Sequence, residues 1–260
     1  MNFMRAGTGA PPLVFVHGFA CALGDWQAQV AAFSSRHEVV ACDLRGHGAT
    51  PGLPGECTIA HFGGDVAALV ANLELQGAVL VGHSMGCRVV LEAARLDPAR
   101  VAGLVLVDGS LMGIGDPAQA EAATRQAIDV VGFPAFAEAL FTQMFLAPGD
   151  ASRAIVARAK ALPAATGASL FPSLVRWDAE HMDAALAAVR APLMVIQTTW
   201  VNEDRKRASM QPGQSTPWLD LVRARVPGAR IEIIPGAGHF PQIENPAEVN
   251  RLIGGFLDSL

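Results

Sequence analysis

The most informative stretch of this chain is Val79-Leu80-Val81-Gly82-His83-Ser84-Met85-Gly86, because it joins an apolar run to a helical pattern through a serine flanked by glycines. The apolar run is typical of a strand that is buried on both faces of a parallel sheet. Between a strand and a helix, Gly-x-Ser-x-Gly forms a tight turn that holds the serine side chain clear of the sheet. Small residues at positions 82 and 86 let the two elements approach closely. The stretch therefore predicts Ser84 as a nucleophile.

Similar apolar runs on both sides of this stretch predict the rest of a sheet. The predicted strands cover residues 13–16, 39–42, 79–81, 104–107, 193–196 and 231–234. Apolar side chains at helical spacing predict helices over residues 25–33, 59–73, 88–96, 217–226 and 246–257. Strands that alternate with helices indicate an α/β fold, with a mostly parallel sheet flanked by helices.

The alternation stops between residues 111 and 190, where the sequence is rich in alanine, favours helices and is interrupted by prolines. A segment of this length is too long for a bare loop, so we predict an inserted helical cap above the carboxyl ends of the strands. Residues 1–110 and 191–260 then form the core. Large apolar side chains of the cap are candidates for an acyl pocket or for the interior of the cap itself: Met112, Phe133, Phe136, Phe141, Met144, Phe145, Phe171, Trp177 and Met182.

Composition narrows the class of protein. Of the 260 residues, 51% are hydrophobic and 17% are charged, which is typical of a globular chain. The formal net charge is -5, and no cluster of Lys and Arg predicts a nucleic-acid partner. Four cysteines without CxxC spacing favour neither zinc nor a disulfide framework. Without a signal peptide or an apolar stretch of about 20 residues, we expect a cytoplasmic protein, monomeric or homodimeric, with no membrane contact.

A general base for Ser84 is predicted near the carboxyl end of the chain. His239 lies in Gly236-Ala237-Gly238-His239-Phe240-Pro241, between the last predicted strand and the last predicted helix. A glycine-rich loop at the carboxyl edge of a sheet suits a base that must come within hydrogen-bond reach of the serine. We therefore predict His239 as the base.

Donors for a developing oxyanion are predicted in two places. Phe19 follows His17-Gly18 at the end of the predicted strand 13–16, where the chain commonly turns a backbone amide toward the nucleophile. The amide of Met85, directly after the serine, is the second donor. The chain contains no tyrosine, so a phenolic donor is impossible.

Taken together, these motifs resemble the α/β-hydrolase superfamily, in its lidded serine esterase branch. The resemblance rests on residues 17–18 after a strand, on Asp43-Leu44-Arg45-Gly46-His47-Gly48, on the 82–86 turn and on residues 236–240 before the last helix. The start of the chain departs from the family pattern, because the usual leading hairpin is reduced to one strand around residues 2–5 or is lost.

The resemblance implies an acid that orients the histidine, and its place is open. Asp108 directly follows the predicted strand 104–107, at a rigid strand end. Glu203 and Asp204 are the rival candidates after the later strand, but they precede the basic run 205–207 and look like part of a solvated charge cluster. The chain order of serine, acid and histidine permits either choice. We favour Asp108.

The predicted function is that of a carboxylesterase that cleaves a small or medium hydrophobic ester through an acyl-enzyme, without metal or cofactor. A serine at the turn, together with the absence of tyrosine, excludes the epoxide hydrolases and dehalogenases of the same family. Two alternatives stay open. One is a carbon–carbon bond hydrolase with the same residues, and the other is a ligand receptor or signalling protein with vestigial hydrolysis. The preference for arginine over lysine, together with the many alanines, is associated with bacteria that have GC-rich genomes.

Overall fold

A computed structural model describes residues 1–202 and 206–260 of the chain. Within them, seven strands form one sheet in the order β1-β3-β2-β4-β5-β6-β9. These strands are β1 (Phe3–Ala6), β2 (Leu13–Val16), β3 (Val39–Cys42), β4 (Ala78–His83), β5 (Val101–Val107), β6 (Leu193–Gln197) and β9 (Arg230–Ile233). Strands β7 (Thr199–Val201) and β8 (Arg207–Ser209) form a separate antiparallel hairpin. All six strands predicted from apolar runs are confirmed, whereas the hairpin was not predicted.

The direction of the strands also agrees with the predicted fold class. All neighbours in the large sheet are parallel except β1, which pairs antiparallel with β3. One strand, β1, precedes β2 in the described chain, which is the first of the two outcomes expected from the sequence.

Helices cover both faces of the sheet, which explains why the strands are apolar on both sides. They are α1 (Gln27–Phe33), α2 (Ile59–Asn72), α3 (Met85–Leu96), α8 (Pro217–Arg225), α9 (Pro241–Glu244) and α10 (Pro246–Leu257). Alternate residues of the strands belong to two buried clusters, one with α1 and α10 and the other with α2, α3 and α8. Among the described residues, no helix has the length and apolar character needed to cross a bilayer.

Residues 111–190, all of which are described, connect β5 to β6 through helices and contain no strand. These helices are α4 (Pro117–Val131), α5 (Phe133–Thr142), α6 (Asp150–Ala161) and α7 (Ala164–Ala187). Their helical character agrees with the composition of the segment. That the segment acts as a cap domain for a substrate stays a prediction.

Three ion pairs between described residues tie these helices to the rest of the fold, and two of them are buried or partly buried. Arg88 of α3 forms a bidentate pair with Asp178 of α7, at 2.6 and 2.7 Å, and both side chains are fully buried. Arg158 of α6 contacts Asp25, beside the loop after β2, at 2.6 Å. Because a buried charge is costly unless it is paired, the first contact strongly constrains the distance between α3 and α7.

We expect Arg88→Met to lower the free energy of unfolding by about 3–5 kcal/mol, because it leaves the Asp178 carboxylate buried without its counter-charge. The double variant Arg88→Met with Asp178→Leu removes both charges and should recover most of that loss. Urea denaturation of the single and double variants measures both effects.

The matched control is Arg251→Met, because Arg251 is 64% exposed and pairs with Glu248 at the surface. Its loss should not exceed about 1 kcal/mol. Equal losses for Arg88→Met and Arg251→Met would contradict the importance of the buried pair.

Candidate active site

Ser84 occupies a strained turn between β4 and α3. Its φ is 54°, in the left-handed region that residues with a side chain seldom adopt. The strain is tolerated because the close packing of neighbouring elements leaves the backbone no room for another conformation. A Cβ added at Gly82 would overlap the carbonyl group of Gly86, and one at Gly86 would overlap the carbonyl of Val16. The predicted turn is therefore present, and it needs glycine at both positions.

Ser84, His239 and Asp108 form one chain of hydrogen bonds. The distance from Ser84 Oγ to His239 Nε2 is 2.9 Å, and the distance from His239 Nδ1 to Asp108 Oδ2 is 2.6 Å. An ionised carboxylate only accepts hydrogen bonds, so Nδ1 carries the proton and Nε2 is left to accept one from the serine. The structure thus brings these three predicted residues together, although they come from three separate strand ends.

Further donors surround the Asp108 carboxylate. The amides of Thr198 and Thr199 donate to Oδ1 at 2.8 Å, and the Thr199 hydroxyl donates to Oδ2 at 2.5 Å. Burial by itself would raise the pKa of Asp108, but the bond from His239, the nearby charges of His239 and Arg207 and the Thr199 hydroxyl lower it to about 2. Asp108 is therefore an anion at neutral pH, although its side chain has no solvent contact.

The rival acids Glu203 and Asp204 lie outside the described residues. The basic run beside them was expected to be solvated, and this is wrong for Arg207. The side chain of Arg207 is only 11% exposed. Its Nη1 lies 2.6 Å from Thr199 Oγ1 and 3.2 Å from His239 Nδ1. No local signal distinguished Arg207 from its basic neighbours, because the hairpin that turns it inward was not predicted.

The loop after β2 lies directly against the serine. A Cβ at Gly18 would come within 3.1 Å of Ser84 Cβ, and Phe19 and Met85 both line the space above the serine. Neither the Phe19 amide nor the Met85 amide donates to another group in the described part of the chain. His17 holds this loop in place, because its Nε2 accepts a bond from the Leu44 amide at 2.9 Å. Both predicted donors are thus next to the serine.

The loop that carries His239 is fixed from two sides. The His239 amide donates to the Met144 carbonyl between α5 and α6, at 2.7 Å. On the opposite side, His83 Nε2 donates to the His239 carbonyl, also at 2.7 Å. The rings of Phe145 and Phe240 stack in parallel beside these bonds, with centroids 4.9 Å apart. The backbone of His239 is therefore held by both the core and the helical insertion.

A small, largely enclosed chamber, with a cavity volume of about 30 Å³, lies above Ser84. Four of the nine apolar residues singled out in the sequence line it, and the sequence reasoning missed two more. The apolar lining from the helical insertion consists of Met112, Leu140, Phe141, Met144, Phe171 and Leu174. Others of the nine, such as Phe133 and Met182, are buried in the interior of the fold. The chamber is apolar apart from a few polar groups at its floor, which is typical of a small-molecule site.

The sheet order, the strained serine turn and the connected helices define the fold of an α/β hydrolase. The family model of the alpha/beta hydrolase family matches residues 13–252, so the chain belongs to that family.

The sequence identity to individual relatives is low or extends over only part of the chain. The chain is 28% identical to the dihydrolipoyllysine-residue acetyltransferase component of the acetoin cleaving system of Pseudomonas putida, over 98% of this chain and 65% of that protein. It is 41% identical to a bifunctional esterase/perhydrolase of Acinetobacter calcoaceticus, over 38% of this chain and 36% of the other. A crystal structure of a hydrolase from Pseudomonas aeruginosa PA01 matches with a TM-score of 0.79 at 24% identity, covering 98% and 93% of the two chains.

Four histidines are buried in and around the site. Burial lowers the pKa of His17 and His239 to about 4, and for His239 the charge of Arg207 acts in the same direction. Burial also lowers the pKa of His47 and His83 to about 3. In the unfolded chain, each group has a pKa of about 6.5. Their contribution to stability is therefore complete above about pH 6.5, and it is lost as the pH falls toward the folded-state values.

We expect the free energy of unfolding to fall steeply between about pH 6 and pH 4.5, by about 1.4 kcal/mol per pH unit for each buried histidine. His47→Gln removes one such group that does not contact Ser84 and should make this dependence shallower by that amount. Urea denaturation at a series of pH values measures the slope. A slope in the variant equal to that of the wild type would show that His47 does not stay neutral in the folded state.

Proposed function

We propose that this protein is a serine esterase in which Ser84 is the nucleophile, His239 the general base and Asp108 the group that orients the imidazole. The observation that carries the proposal is the continuous hydrogen-bonded path from Ser84 Oγ through His239 to Asp108. A serine hydroxyl is a weak nucleophile unless a base takes its proton, and the base must be held in the correct tautomer. The short bond to Asp108 supplies that constraint.

In the first half of the reaction, Ser84 Oγ attacks the carbonyl carbon of the ester while His239 Nε2 takes the hydroxyl proton. The carbonyl oxygen becomes an oxyanion, to which the amides of Phe19 and Met85 donate. As the tetrahedral intermediate collapses, the bond to the leaving oxygen breaks and His239 returns the proton to it. The alcohol leaves, and the acyl group stays on the serine.

In the second half, a water molecule attacks the acyl carbonyl and gives a proton to His239 Nε2. The same two amides stabilise the second oxyanion. Its collapse breaks the bond to Ser84 Oγ, which takes the proton from His239, and the carboxylic acid is released. The buried Asp108 stays ionised throughout and stabilises the imidazolium that forms twice in each cycle.

The proposed substrate is a small or medium ester with an apolar part. The apolar lining of the chamber supports this class. The similarity of part of the chain to a protein named as an esterase/perhydrolase supports ester chemistry. Helices α4 to α7 serve in this proposal as the cap that closes the chamber. An intracellular location agrees with the four free, buried cysteines.

Ser84→Ala should lower kcat for 4-nitrophenyl butyrate by about 10³-fold or more, because the acyl-enzyme cannot form. The exposed Ser35→Ala is the matched control and should keep the wild-type rate. Steady-state release of nitrophenol measures both. Activity retained in Ser84→Ala would refute the mechanism, and release of one equivalent followed by arrest in the wild type would favour a receptor.

Asp108→Asn should lower kcat by about 10³- to 10⁴-fold, because the amide NH₂ in place of Oδ2 donates to Nδ1 and so favours the wrong imidazole tautomer. Glu203→Gln and Asp204→Asn should stay near the wild-type rate. The three variants are compared with the same ester, after circular dichroism has verified folding. A large loss in either of the latter two, with activity kept in Asp108→Asn, would move the acid to that position.

A further inference from the structure

Arg207 lies between the chamber above Ser84 and a second cavity. The first has a volume of about 30 Å³, and the second, of about 290 Å³, lies against β6 and the β7–β8 hairpin. Only Ser110 and Arg207 line both cavities among the described residues. One imidazole ring separates the Arg207 guanidinium from Ser84 Oγ, since Nη1 lies 3.2 Å from His239 Nδ1. A ligand bound at the serine can therefore reach this cation.

Within the described ranges, the second cavity offers hydrogen-bond donors and no carboxylate. Besides Arg207, its lining includes the Ser110 hydroxyl, which accepts a bond from Arg88 at 3.3 Å and keeps its own hydrogen for another acceptor. The lining also includes Trp218, whose buried Nε1 has no partner among the described atoms. The other lining residues are uncharged, and they include Thr216 and Trp200. Donors around a cation are the chemistry of an anion site.

Arg207 pairs with a carboxylate but makes no hydrogen bond to it. Among the residues that the structure describes, the nearest carboxylate is Asp108, at 3.6 Å, and it already accepts bonds from two amides, one hydroxyl and His239. Burial lowers the pKa of Arg207, and the nearby charge of Asp108 offsets this only in part. Asp108 therefore balances the charge of Arg207 without occupying its donors. Both recorded hydrogen-bond contacts of the guanidinium are made by Nη1, so Nε and Nη2 can donate to an anionic ligand.

The contact with His239 has a further consequence for the reaction. Because His239 Nδ1 donates to Asp108, the Arg207 nitrogen beside it faces a second donor, and the two repel each other when the imidazole is protonated. Arg207 therefore disfavours the imidazolium that the proposed mechanism forms. A carboxylate bound to Arg207 offsets this repulsion, so an anionic substrate would gain in kcat as well as in KM.

We propose that Arg207 is a specificity-determining residue that binds a carboxylate of the substrate, so that the preferred ester is an acid ester with its anionic group a few carbon atoms from the scissile carbonyl. This inference rests on the proposed esterase function and names its substrate class. The cavity beyond Arg207 accommodates the charged end, while the apolar chamber holds the remainder. A role in folding alone would leave the discrimination between charged and neutral esters unchanged.

The test compares esters matched in length but not in charge. One pair places the charge on the acyl side, with the mono-4-nitrophenyl esters of succinic, glutaric and adipic acid against 4-nitrophenyl butyrate, valerate and hexanoate. The other pair places it on the leaving group, with 4-carboxyphenyl butyrate against 4-methylphenyl butyrate. Wild type, Arg207→Met, Arg207→Lys and the exposed control Arg36→Met are assayed at about pH 8, where histidine is neutral.

For one of the two pairs, we expect the wild type to prefer the anionic ester. Arg207→Met should reduce that preference by about tenfold to a hundredfold, in both kcat and KM, the range for loss of a hydrogen bond to a charged group. Arg207→Lys should keep part of the preference, and Arg36→Met should keep all of it. An unchanged preference in Arg207→Met for both pairs, with the fold verified by circular dichroism, would overturn the proposal.

A binding measurement separates this proposal from the esterase mechanism. The uncleaved hemiesters are titrated calorimetrically into Ser84→Ala and into Ser84→Ala with Arg207→Met. Weaker binding in the double variant supports the anion site even if the wild type shows no esterase activity. Equal binding in both proteins would refute the anion site, whatever the rate of ester hydrolysis.

Discussion

A carboxylate without solvent contact constrains the whole centre of this molecule. The Asp108 side chain can remain ionised only because donors from several segments converge on it: the backbone and hydroxyl groups at residues 198 and 199, and the ring of His239. These donors belong to two different stretches of chain. The end of β5 is thereby joined to the end of β6 and to the loop after β9. Removing one donor leaves a buried acceptor less satisfied, so the geometry of these loops is cooperative.

Much of the fold and part of the site follow from local sequence. The six core strands can be predicted from the sequence because helices cover both faces of the sheet, which makes each strand a continuous apolar run. The serine turn can be predicted because both of its glycines are required by close contacts, one with residues a few positions along the chain and the other with the end of β2. Asp108 and His239 can be predicted as site residues because the carboxyl ends of parallel strands meet at one edge of the sheet.

The features that could not be predicted from the sequence depend on contacts between distant segments. Arg207 looks like one of several consecutive basic residues, and only the short β7–β8 hairpin turns it toward His239. Arg88 and Asp178 are 90 residues apart, and nothing local marks either as a buried charge. The residues that line the chamber could not be predicted either. Aromatic residues of a helical segment face either the interior of that segment or a ligand, and the amphipathic pattern is the same in both cases.

The bond from the His239 amide to the Met144 carbonyl bears on how this protein can be redesigned. The helical insertion supplies an acceptor to the same loop that presents the imidazole, and a stacked pair of phenylalanines lies next to that bond. The insertion and the core are consequently not interchangeable modules. A chimera that carries the insertion of another protein inherits a correctly placed imidazole only if the new segment offers a carbonyl at the same point.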